Sequence, residues 1–290
     1  MHQTCLDFFE ICRFPEEAVA EVTRAAERLA PVLDIKALQN RFFADDTTVW
    51  TELKAAADRC GIHTFTADLV LLVLFVPEAK VRYEAAGISE LFWDSMKDIR
   101  YKMMETHYIH GIWGVYCGWW LQMLLKQQCI CLGRLQFEPV TSHCDCRIGE
   151  HILHAGDLIL NVHIPSFGKL KYEDVLESYR RAGEFFHDRF SGRPIWVQAE
   201  TWILYPPVNE MLPEGNLRRW ASDYKLVHHC IDPNQDDRYR IFHLPNGTPM
   251  EQYPQNNPLQ CALKAWLMEG NTMGIGFGYL LLEDGRIVEE

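Results

Sequence analysis

NVHIPSFGKLKYEDVLESYRRAGEFF (161–186) decides how this chain is read. Its head continues DLILNVH (157–163), where Leu158, Leu160 and Val162 alternate with Asn161 and His163, the period-two pattern of a strand. Its tail carries Val175, Leu176, Tyr179, Ala182 and Phe186 at helical spacing, which predicts a helix from about Tyr172 to Phe190. A short loop through Gly168 joins the two. A strand that ends in a loop and restarts as a helix aims backbone N–H groups and the positive helix end at whatever occupies the loop. Lys169, Lys171, Arg180 and Arg181 lie nearby as further positive charge, whereas Glu173 and Asp174 already complement the helix dipole. Two readings stay open: a cradle for phosphate, or an ordinary strand-to-helix connection.

Working outward, LGRLQFE (132–138) sets Leu135 and Phe137 on one face against Arg134, Gln136 and Glu138. HAGD (154–157) reads as a turn, with Gly156 at the permissive position. PIWVQAETWIL (194–204) reads as a strand with Gln198 and Glu200 on one face. A short helix near 216–223, strands near 225–231 and 238–243, a helix near 258–269 and a last strand near 275–282 follow. PNQDDR (233–238) and LPNGTPMEQYPQNNP (244–258) read as loops. GNTMGIGFGY (270–279) lacks the strand-before, helix-after context of a dinucleotide fingerprint, so its glycines are expected to form the turn into the last strand. Strands interleaved with helices indicate an α/β sheet.

Residues 1–126 read instead as a helical domain, and 127–290 as a second, α/β domain. Ala18, Val22, Ala25, Ala26 and Leu29 recur at helical spacing until Pro31. A segment at 35–43 follows, then a helix with Thr48 as N-cap, Leu53, Ala56, Ala57 and Cys60 inward, and Gly61 closing it. Another runs from Ser89 past Trp93, Met96, Ile99 and Met103. LVLLVLFV (69–76) and IWGVYCGWWLQMLL (112–125) are the most apolar stretches, and both are too short for the roughly 20 residues of a membrane span. They read as buried helices, with the tryptophans of 113–120 in the core.

A net charge of −12 argues against non-specific binding to nucleic acid or anionic membrane, since both need a basic surface. Without a basic, then apolar, leader, ten cysteines fit reduced thiols in the cytoplasm rather than a disulfide framework. Cys129, Cys131, His143, Cys144, Cys146, His151 and His154 invite a metal, but both cysteine pairs are spaced C-x-C, which zinc sites disfavour, and no metal is expected. If the polar faces of the three strands align, Glu138, His163 and Glu200 converge beside the loop. An imidazole or a carboxylate so placed suits a general base, and His163 or Glu200 fits that role. A solvated sheet face produces the same alternation.

LGRLQFEP (132–139), VHIPSFG (162–168), YRRAGEFF (179–186), TWILYPPVNEMLPEGNLRRW (201–220) and WLMEGNTMGIGFGYLLLE (266–283) together resemble a bacterial family of acyltransferases. Its members carry a helical N-acyltransferase N-terminal domain followed by a GNAT-like C-terminal domain. The resemblance implies a mixed, mainly antiparallel sheet flanked by helices, and transfer of an acyl group from a CoA thioester, acetyl or longer, to a small-molecule amine. It also implies that 163–172 grips the pyrophosphate, through Ile164, Ser166, Phe167, Gly168 and Lys169. Asn216 opens a second GNAT-like helix, and Tyr224 is the implied acid for the departing thiolate. The loop departs from the usual GNAT pattern: it has one glycine and a bulky Phe167. An inactive module that binds a metabolite or nucleotide is the alternative.

Overall fold

Alanine, leucine and valine at helical spacing build seven helices in the N-terminal half of the computed structural model, which describes residues 2–166, 168–232 and 236–288. The chain divides into two compact units, Met1–Ile130 and Cys131–Glu290. The first contains α1 (Gln3–Ile11), α2 (Glu16–Leu29), α3 (Ile35–Phe43), α4 (Thr48–Cys60), α5 (Thr64–Ala85), α6 (Phe92–His110) and α7 (Gly118–Leu125). LVLLVLFV lies in α5, buried all round apart from Leu74, as a central helix should be. Tyr83 on α5 donates its hydroxyl to the Leu124 carbonyl, so this buried phenol is satisfied.

Three expectations for this half need correction. The start of α4 is capped by Asp46, whose carboxylate accepts from Thr48 N at 2.9 Å, so Thr48 is the first helical residue and not the cap. The stretch 112–125 is helical only from Gly118, where α7 begins. The tryptophans of 113–120 are not core: Trp119 is 66% exposed, and Trp113 and Trp120 are half-buried. α7 turns its leucines Leu121, Leu124 and Leu125 inward instead.

β1 (Ile130–Leu132) begins at the division, and the second unit goes on with β2 (Leu135–Thr141), β3 (Cys146–Ile148), β4 (His151–Leu153), β5 (Leu158–His163), α8 (Tyr172–Phe186) and β6 (Ile195–Thr201). Then come α9 (Pro206–Met211), α10 (Asn216–Ser222), β7 (Lys225–Ile231), α11 (Asp236–Phe242), α12 (Pro258–Met268), β8 (Gly274–Glu283) and β9 (Arg286–Ile287). The main sheet has the order β1-β2-β5-β6-β8-β7, with β9 on β8. β5 and β6 are parallel, joined by α8, while β2–β5, β6–β8, β7–β8 and β8–β9 are antiparallel. The sheet is therefore mixed and mainly antiparallel, with helices flanking it.

Cross-strand partners point to the same side of a sheet, so the register assigns the faces. One face carries Phe137, Val162, Val197 and Leu280 and receives α8, whose Tyr179 ring meets Phe137 edge-on. The other is apolar at one end, where the β3–β4 ribbon covers Ile159, Trp196, Tyr279 and Leu281. Toward the ends of β5 and β6 that second face turns polar.

Three further corrections fall here. Residues 238–243 form the end of α11 and no strand: Tyr239 and Phe242, three apart, are buried together, a helical spacing that a short window mimics as alternation. The strand through 194–204 stops at Thr201 and turns into a 3-10 helix, Trp202–Leu204. Gly274, Gly276 and Gly278 make no turn; they stand on one face of β8. A Cβ on Gly276 would lie 2.2 Å from the Leu204 carbonyl, and one on Gly274 2.5 Å from the Tyr205 ring. The glycines clear a track along which the 202–205 segment crosses the strand.

Candidate active site

The register places Glu138, Asn161, Gln198, Tyr279 and Lys225 in one row across the polar face. One step along, His163 pairs with Gln136, and Glu200 with Phe277. The alternation in three separate stretches of sequence thus becomes one surface.

The parallel β5–β6 pair is short. Leu160 pairs with Val197 and Asn161 with Gln198, and the ladder ends there, although β5 continues to His163 and β6 to Thr201. The two strands part into a wedge whose vertex is the Asn161–Gln198 pair. His163 is the last residue of β5, on one lip; Glu200 is exposed on the other.

At the His163 lip, Nε2 lies 3.1 Å from Glu138 Oε2, with both side chains about three-quarters buried (25% and 21% exposed). A carboxylate only accepts, so Nε2 carries the proton. Asn161 Nδ2 stands 3.3 Å from the same Nε2, while its Oδ1 is buried without a hydrogen-bond partner. An amide N–H cannot donate to a nitrogen that is itself donating, so in this tautomer the Asn161 contact is no hydrogen bond, and the closer Glu138 carboxylate accepts from Nε2–H. With Nε2 protonated, Nδ1 is the basic nitrogen of the ring. A carboxylate that fixes the tautomer of an imidazole is the arrangement by which histidine bases are oriented.

Beyond the vertex, Tyr279 donates to Gln198 Oε1 at 2.8 Å and lies 3.2 Å from Ser142 Oγ and 3.4 Å from Cys144 Sγ. Burial, with the neighbouring thiol, pushes the Tyr279 phenol up to about 12. Sequence reading missed this residue, although Tyr279 sits in phase with Gln198 once β8 is paired with β6.

The loop after β5 leads into α8, whose N-cap Lys171 makes no side-chain cap bond. Ile164 is half-buried; Ser166, Gly168 (φ 63°) and Lys169 are exposed; Phe167 lies outside the described residues. Arg180 and Arg181 do not serve the loop. Both hold Glu177, at 2.7 and 2.9 Å, and pull its carboxyl down to about 2. Asn216 is exposed at the start of α10.

Tyr224 is on the α8 side of the sheet, where its Cβ lies 2.9 Å from a Cβ built on Gly278. Its hydroxyl is 2.7 Å from that of Tyr179, which accepts from Trp220 Nε1 at 3.0 Å. Burial raises the Tyr224 phenol well above its ordinary value. Beside this cluster, Tyr172 donates to Asp223 at 2.8 Å, and burial pushes the Asp223 carboxyl up to about 6. The structure brings together Glu138, His163 and Glu200 on one face and sets Tyr224 on the other. Among the described residues no group of three or more His, Cys, Asp or Glu is arranged to hold a metal, and no helix is long and apolar enough to cross a membrane.

One parallel pair in a mainly antiparallel sheet, opened into a wedge and followed by a strand–loop–helix crossover, defines a GNAT-like fold. The chain belongs to the family that joins an N-acyltransferase N-terminal domain, matched over residues 4–126, to a GNAT-like C-terminal domain, matched over 129–280. No curated protein matches the sequence. Among solved structures the chain is similar to an acyltransferase in complex with decanoyl-CoA and teicoplanin (21% identity, TM-score 0.74, covering 97% of this chain and 88% of that one). It is also similar to an acyltransferase mutant in complex with octanoyl-CoA (20%, 0.75, 96% and 87%). A third likeness is to an acyltransferase in complex with CoA and 10C-teicoplanin (22%, 0.72, 95% and 86%).

Proposed function

We propose that this protein is an acyl-CoA-dependent acyltransferase that moves an acyl group directly from the CoA thioester to an amine of a small-molecule acceptor. The observation that carries the reading is the Glu138–His163 pair at the lip of the β5–β6 wedge. Where the parallel ladder ends, backbone groups are left to another partner, and the amide-bearing pantetheine arm of CoA is chemically suited to them. The loop after β5, with Ile164, Ser166, Phe167, Gly168 and Lys169, together with the start of α8, holds the pyrophosphate. Asn216 at the start of α10 is a second polar contact for the nucleotide end. The decanoyl- and octanoyl-CoA of the similar structures support an acyl donor of eight to ten carbons.

In this reading the acceptor first loses its ammonium proton, the freed nitrogen lone pair attacks the thioester carbon, the carbonyl electrons move to oxygen, and the C–S bond then breaks with the electron pair leaving on sulfur. The ammonium proton passes to His163 Nδ1, and Glu138 stabilises the imidazolium through Nε2–H. That proton returns to solvent, and the one the nitrogen sheds after attack neutralises the CoA thiolate. Glu200 faces the same wedge from the other lip and helps to attract the ammonium form of the acceptor. Tyr224 is assigned to packing, because its hydroxyl is already bonded to Tyr179.

Melting in the presence of decanoyl-, octanoyl- or acetyl-CoA, free CoA and ATP tests the reading. Ligand at about 100 times its Kd stabilises the fold by about 2.7 kcal/mol. Stabilisation by CoA species and not ATP, together with amine-dependent thiol release, is expected. Equal stabilisation by ATP without thiol release would identify a nucleotide-binding module instead.

A further inference from the structure

We infer that Arg134, on the turn between β1 and β2, is a positioning residue for the phosphates of CoA, acting through the loop that follows β5. This rests on the reading of that loop as the pyrophosphate site. Gly133 takes φ 80°, and a Cβ there would lie 3.0 Å from Ser178 Oγ, so the turn seats on α8 only with glycine at this position. Ser178, fully buried on α8, accepts from Arg134 N at 2.8 Å and Leu135 N at 3.3 Å and donates to the Asp174 carbonyl at 2.8 Å. Two acceptances and one donation use the whole capacity of a hydroxyl. The turn is thereby fixed to the first half of α8, and the Arg134 side chain runs from it to donate from Nη1 to the Pro165 carbonyl at 3.1 Å.

Pro165 opens the loop, so one guanidinium ties its entry to the helix at its exit. The charge matters as well as the tether. Glu173 and Asp174 in the first turn of α8 offset the positive helix end, and Lys169 and Lys171 are exposed, where salt screens them. Arg134 is only 8% exposed, so its charge is screened least of the three. The anion it serves is the pyrophosphate or 3′-phosphate of a coenzyme, held by a loop that has a single glycine of its own.

Calorimetric Kd values for CoA and for pantetheine, which has the same thiol arm without phosphates, separate this role from a general structural one. The wild type is expected to prefer CoA by tenfold or more. Arg134→Gln should cut that preference about tenfold while leaving the pantetheine Kd unchanged. Ser178→Ala, which loosens the turn and keeps the arginine, should reduce it in the same direction by less, and carries the test if Arg134→Gln does not fold. Folded variants that keep the wild-type preference, or that lose CoA and pantetheine equally, overturn the inference alone. A wild type with no preference for CoA overturns the phosphate reading of the loop, and this inference with it, before any variant is made.

Discussion

The Glu138 carboxylate and the His163 imidazole meet diagonally across the β2–β5 pair, Oε2 to Nε2 at 3.1 Å, so that a residue on one strand sets the tautomer of a residue on its neighbour. General bases contribute about 10²–10⁴ in rate. His163→Ala is therefore expected to lower kcat for amine-dependent thiol release by about 10²–10⁴. Glu138→Gln, which keeps the shape but can donate to Nε2 and favour the other tautomer, should lower it by about 10–10². Both variants should still be stabilised by octanoyl-CoA. Full activity in His163→Ala would remove it from the base role.

Glu200 shares the face but not the arrangement. It is exposed at the far lip of the wedge. Glu200→Gln is expected to raise KM for the acceptor a few-fold and leave kcat within about threefold of wild type, since an exposed charge adds about 1 kcal/mol or less to the attraction of an ammonium group. If kcat fell as far as in His163→Ala, the base would be Glu200.

How much of this was legible in the sequence follows from what period two encodes. Alternation fixes which residues of one strand share a face, so Gln136 with Glu138, Asn161 with His163 and Gln198 with Glu200 could be grouped without a structure. Register is a property of pairs of strands, and nothing local in 157–163 says that Glu138, rather than Glu200, reaches His163. Tyr279 was missed for the same reason. Residues 238–243 mimic a strand because Tyr239 and Ile241 stand two apart, in a window too short to separate 2.0 from 3.6. The glycines of β8 were read as a turn because their cause, the Leu204 backbone, lies some seventy residues away.

That cause gives a sharp test of the fold. Alanine at Gly276 would put a Cβ 2.2 Å from the Leu204 oxygen and 2.4 Å from its carbonyl carbon, and backbone yields less readily than a side chain. Gly276→Ala should destabilise the second unit by about 3 kcal/mol or more, within the range of severe overpacking. Gly247→Ala, in a loop with open space around it but φ 82°, should cost only about 1 kcal/mol. Equal melting temperatures for the two would count against the crossing of 202–205 over β8.

Tyr224 separates a packing role from a catalytic one. Tyr224→Phe removes one buried hydrogen bond to Tyr179 and is expected to cost about 0.5–1.5 kcal/mol of stability. Because Tyr179 still accepts from Trp220, it is not left wholly unpaired. Activity at saturating octanoyl-CoA should stay within about threefold of wild type. A loss of 10²-fold or more with an unchanged fold would restore Tyr224 as the acid.

In the helical unit Asp68 supplies a pH test that does not depend on the reaction. It lies on α5 beneath the first residue of α7, where a Cβ on Gly118 would be 3.0 Å from its Oδ2. Burial pushes its carboxyl from 3.8 up to about 7. A carboxyl with a raised folded pKa binds its proton more tightly in the native state than in the unfolded chain. Its cost is therefore absent below pH 3.8, grows as pH rises from about 4 to 7, and is complete above 7. Asp68→Asn keeps the shape and removes the charge, so it should stabilise the unit by roughly 2–4 kcal/mol at pH 8 and by little at pH 4. Melting temperatures of wild type and variant across that range should converge toward acid. Parallel curves would mean that the carboxylate finds compensation in the folded state.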